Sequence, residues 1–80
     1  MADRLAAAIE HIRAGRKEAG REILIQILNA EEDNERAWLW MTNVVETDEL
    51  RRECLEEVLR INPANARAQQ LLSDFQQQYG

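Results

Sequence analysis

A shift of 31 residues lays "GREILIQILNAEEDNERAWLWM" on "RRECLEEVLRINPANARAQQLL". Arg21, Glu22, Leu24, Leu28, Asn34, Arg36 and Ala37 fall on Arg52, Glu53, Leu55, Leu59, Asn65, Arg67 and Ala68, while Ile27 meets Val58 and Met41 meets Leu72. Composition alone brings a few identities between two helices rich in Ala, Leu, Glu and Arg. It does not also align the asparagine of both intervening turns. An internal period of this size is the mark of a repeat architecture, in which each unit buries its apolar face against the next.

The apolar spacing within the period is helical. Five amphipathic helices are expected, over about 3–14, 17–30, 34–46, 48–61 and 65–79, in one domain spanning 1–80. Asp3, Thr47 and one of Asp33 or Asn34 stand where N-caps belong, Ala14-Gly15 reads as a stop, and Pro63 closes the fourth segment. Three glycines and one proline are too few for an all-β chain of 80 residues, which needs turn residues every 8–12 positions or so.

The fragments "LRINPANARA" and "AWLWM" resemble the tetratricopeptide repeat. Trp38, Met41, Thr42, Val45, Leu55 and Pro63 lie on that pattern, and Leu5, Ala8, Ile9, Ile12, Gly20 and Leu24 supply the first unit. The resemblance implies an all-α, right-handed helical-hairpin array of about two and a half repeats. Three departures stand out. The period is short, with the shortfall between Val45 and Arg51; Glu32 replaces the closing proline of the first repeat; and Arg51 occupies a place where a small residue normally lets paired helices approach.

Trp38 and Trp40 fit the same frame. At 100° per residue, Trp40, Val44, Ala37, Met41, Val45 and Trp38 fill one continuous arc of about 160°. A middle helix needs so broad an arc because it meets neighbours on two sides, and both indoles are expected to be core anchors. In the fifth segment Ala68, Leu71, Leu72 and Phe75 keep the face toward the preceding repeat apolar. Gln69, Ser73 and Gln76 replace Trp38, Thr42 and Val45, as in a terminal capping helix.

Chemistry is sparse. His11 is expected on the exposed side of the first helix with no second ligand nearby, and Cys54 is expected as a buried, inert thiol. The run "AEEDNE" lacks the alternating ligands and glycine of a calcium loop, and no phosphate loop or nucleophile elbow is present. The expectation is a non-enzyme without cofactor or metal. A formal net charge of −5 argues against nucleic acid and against an anionic membrane surface. With no apolar run long enough to span a bilayer, no recognisable signal peptide and one cysteine, a reducing cytoplasm is expected.

What remains is binding. The resemblance implies a concave face lined by the first helix of each hairpin, where a peptide or partner segment is held. The exposed arc of the third segment offers Arg36, Leu39, Asn43 and Glu46, and the fifth offers Arg67, Gln70 and Asp74, with Gln77 beyond them. The first adds Asp3, Ala6, Glu10 and Arg13 less securely. Arg36 and Arg67 can take a carboxylate or a carbonyl oxygen, although this face is equally well read as merely solvated. Self-association is the alternative, through Leu39 and Ile25, and Arg51 is expected to snorkel or to pair with Glu46 or Asp74.

Overall fold

The computed structural model describes residues 3–79, so residues 1, 2 and 80 of the expected domain lie outside the described residues. It is all-α: α1 Arg4–Arg13, α2 Lys17–Ala30, α3 Glu35–Met41, α4 Asp48–Ile61 and α5 Ala66–Tyr79, with no strand among the described residues. Each helix packs on its neighbours in the chain, giving an elongated body of 41 × 24 × 18 Å.

The helix starts keep the 31-residue interval. α2 and α4 span corresponding residues from end to end, and α1, α3 and α5 begin one period apart. The caps follow. The Asp3 carboxylate accepts from Leu5 N at 3.0 Å, Asn34 Oδ1 from Ala37 N at 3.0 Å and Asn65 Oδ1 from Ala68 N at 2.9 Å. Each satisfies one of the amide groups a helix leaves unpaired at its start. Trp38 Nε1 donates to Glu32 O, and its counterpart Gln69 donates through Nε2 to Pro63 O, so two unlike side chains close the same turn. α1 shares the starting interval but not the buried face, which is Leu5 and Ala8 there and Ala37 and Met41 in α3.

The core lies in two clusters. Leu5, Ala8, Leu24, Ile27, Ala37, Met41, Val44 and Cys54 form the first; Leu55, Val58 and Ala68 form the second. Trp38 packs against both. Leu24 and Leu55, one period apart, are fully buried, each contributing on the order of 2 kcal/mol of transfer free energy. The tryptophans are half-buried rather than fully enclosed.

α3 stops at Met41, well short of the expected 46. Thr42 Oγ1 donates back to Leu39 O at 2.6 Å, and the amides of Thr42, Asn43 and Val44 bond three residues back instead of four. The last turn tightens and the chain leaves the helix. Arg51 Nε then takes up Thr42 O at 3.1 Å. Val44 is buried all the same, now from the turn rather than from a helix face.

Candidate interaction groove between the third and fifth helices

Gly20 explains by contrast how a groove arises. A Cβ built on Gly20 would stand 2.6 Å from Ile12 Cγ1 and 3.1 Å from Ala8 O, so α1 and α2 touch through the missing side chain. One period on, the same place holds Arg51. A guanidinium cannot sit in that seam, and Arg51 reaches out along it, to Thr42 O and to Asp48 Oδ1 at 2.8 Å. α3 and α4 pack less extensively than α1 and α2. The space left is a groove of about 210 Å³ among α3, α4 and α5, lined by Leu39, Thr42, Asn43, Arg51, Leu55, Arg67, Leu71 and Phe75.

Leu39, Leu71 and Phe75 are half-buried apolar groups here, and the only charged residues of the lining are the two arginines. Arg51 is engaged by Asp48, whereas Arg67 is exposed and makes no ion pair among the described residues. The volume falls below the roughly 300–1,000 Å³ of small-molecule pockets. It suits one or two side chains of a longer ligand.

Of the seven residues expected at a binding face, the structure brings Leu39, Asn43 and Arg67 together in this groove. Leu39 is half-buried rather than exposed. Glu46 is not on the same surface: with α3 ended at Met41 it falls in the following turn and faces Arg21 of α2 at 3.5 Å. Arg36 is exposed in the first turn of α3 but does not line the groove. Gln70 and Asp74 engage each other, Gln70 Nε2 donating to Asp74 Oδ1 at 2.9 Å, and stand outside the lining. Asp3, Ala6, Glu10 and Arg13 of the α1 region are exposed and remote from it.

Leu71 and Phe75 are expected from the sequence only as packing surface, and Arg51 as a snorkelling side chain or an ion-pair partner of Glu46 or Asp74. Its carboxylate partner is Asp48, one turn before it. The clue to all three was Arg51 itself, a charge inside an apolar arc, which signals that two helices part there.

The other candidates for chemistry have the following places in the fold. His11 is half-buried rather than exposed, and its Nδ1 accepts from Arg16 Nε at 2.8 Å across the α1–α2 turn. Cys54 is buried, its thiol pushed up to about 11 by burial and then by Glu53 and Glu57. The carboxylate of Glu35 accepts from Asn62 Nδ2 at 2.9 Å and from Asn65 Nδ2, tying α3 to the α4–α5 turn. Those two N–H donors hold its pKa below the usual carboxylate value. Among the described residues no group of three His, Cys, Asp or Glu is placed to hold a metal ion, and no helix is long and apolar enough to cross a membrane. Comparison with protein-family models, curated proteins and solved structures finds no match to this chain.

Proposed function

We propose that the chain is a non-catalytic protein–protein interaction module, a tetratricopeptide-like helical-hairpin array with a right-handed course that holds a peptide or partner segment between α3 and α5. The observation carrying this reading is the groove itself. Three half-buried apolar side chains, Leu39, Leu71 and Phe75, stand beside an exposed arginine with no ion-pair partner among the described residues. An apolar side chain of the ligand fills the groove, and Arg67 and Asn43 take a carboxylate or main-chain oxygen beside it. The 31-residue register of helix starts and caps supports the repeat part of the reading. A reducing, cytoplasmic setting belongs to the same proposal, in keeping with a lone cysteine held as a buried thiol.

A peptide-display selection against the whole chain tests it. Peptides recovered on the wild type are expected to weaken about tenfold on Arg67→Gln and on Leu39→Gln, with helicity by circular dichroism retained. Arg52→Gln, exposed on α4 and away from the groove, is the matched control and is expected to bind as the wild type does. Unchanged binding by both groove variants contradicts the proposal.

Self-association is the second reading, favoured by Ile25 and Leu50, the large hydrophobic residues left exposed among the described residues, at 44% and 45%. Ile25 is one of the two residues expected from the sequence, and Leu50 stands in place of Leu39, which is half-buried. Sedimentation equilibrium from micromolar to near-millimolar protein decides it: a dimer that Ile25→Gln or Leu50→Gln dissociates supports self-association, and a monomer throughout rules it out.

A further inference from the structure

A second groove lies between α3 and α4, about 520 Å³ in volume, and its lining has the opposite sign. Its floor is apolar: Trp38, Met41, Val45, Leu50 and Cys54. Every charged residue that lines it is a glutamate, Glu53, Glu56 or Glu57. Glu57 is paired with Arg60 at 2.6 Å, whereas Glu53 and Glu56 are exposed and make no ion pair among the described residues. Leu50 at its edge is 45% exposed, and the half-buried Trp38 joins the two hydrophobic clusters from this lining.

We propose that this α3–α4 groove is a docking site for a cationic amphipathic helix of a partner protein, seating its apolar stripe on Trp38, Val45 and Leu50 and its Lys or Arg side chains on Glu53 and Glu56. Charge complementarity selects the occupant. An acidic or neutral segment gains nothing from two unpaired carboxylates beside an apolar floor, and an anionic bilayer is repelled by them. A basic helix satisfies both features at once, the helix-in-groove mode of recognition. The site is separate from the α3–α5 groove, whose charged residues are arginines, so one short chain presents two faces that choose ligands of opposite charge.

The test uses a fluorescently labelled leucine–lysine amphipathic peptide of about 14 residues, titrated into the whole chain and read by anisotropy at low and high salt. Glu53→Gln/Glu56→Gln is expected to weaken binding by about fivefold or more and to flatten its salt dependence. Leu50→Gln is expected to weaken it by a similar factor with the salt dependence kept. All three positions are exposed, and circular dichroism checks that the variants fold. Glu18→Gln/Glu22→Gln, two exposed residues of α2, changes the net charge equally and is expected to bind as the wild type does. Equal weakening by both double variants shows general attraction to an acidic protein and overturns the proposal, as does no binding at all. If sedimentation finds a dimer that Glu53→Gln/Glu56→Gln dissociates, the occupant is a second copy, and the proposal of a partner helix fails. Arg67→Gln leaves this binding intact whether or not the α3–α5 groove proves functional, so the two readings fail separately.

Discussion

At the scale of single residues, Gly20 and Arg51 do more to shape the molecule than the two tryptophans that dominate its sequence. Gly20 has an ordinary helical backbone, so its role is space rather than conformation. Gly20→Ala gains about 1 kcal/mol of helix propensity but drives a methyl into Ile12 Cγ1 and crowds Ala8 O, close to the branch point of one side chain and the backbone of another. The net expectation is a loss of about 1–2 kcal/mol by urea unfolding, and a gain contradicts the close seam. Cys54 gives a chemical readout. With its thiol pushed up to about 11 and buried at 5% exposure, it is neutral and shielded near pH 7. Iodoacetamide is expected to alkylate it slowly in the folded chain and rapidly in denaturant; fast alkylation under native conditions contradicts the burial.

At the scale of elements, the helix-start caps follow the 31-residue interval. Asn34→Ala and Asn65→Ala each remove an acceptor from a helix-start amide, at an expected cost of about 1 kcal/mol in thermal unfolding, to which loss of the Asn65–Glu35 bond adds in the second. A cost at one and none at the other breaks the equivalence of the two turns. Glu35 adds a pH dependence. Its folded pKa is lowered by N–H donors from Asn62 and Asn65, so its contribution is present above the unfolded carboxylate value and lost as pH falls toward the lower folded one. The wild type is expected to lose melting temperature between about pH 5 and pH 3 more steeply than Glu35→Gln, and equal slopes contradict the link.

The elements also show how far the sequence is legible. α2 and α4 run over 17–30 and 48–61 as read, because unbroken amphipathic stripes and clear start signals bound them. α3 does not run as read. Val44 and Val45 prolong its apolar period, whereas past Met41 the Thr42 hydroxyl turns back on Leu39 O and Arg51 donates to Thr42 O. A wheel carries no information about either bond. For the same reason Glu46 was placed with Arg36, Leu39 and Asn43, although it lies beyond the helix. Leu39 and Arg67 line the groove from true helical turns of α3 and α5, where a wheel can place them, whereas Asn43 lines it from the turn after α3. Leu71 and Phe75 are not legible as groove residues, since an apolar side chain on a helix wheel reads the same whether it meets a neighbour or lines a gap.

At the scale of the whole molecule, the chain is a line of helices rather than a shell around one core, and two of the grooves along it border the α3–α4 pair. The first arises where Arg51 stands in place of a glycine and α3 and α4 pack less extensively; the second runs along the other side of the same pair. Ligand binding is therefore expected to involve α3, α4 and α5 and to leave the α1–α2 pair, closely packed at Gly20, unmoved. The most direct test is an amide NMR titration of the labelled chain with a peptide recovered by display. Shift changes are expected to concentrate at Leu39, Asn43, Arg67 and Leu71, with α1 and α2 silent. Changes centred on α1 and α2, or spread evenly along the chain, would contradict binding between α3 and α5.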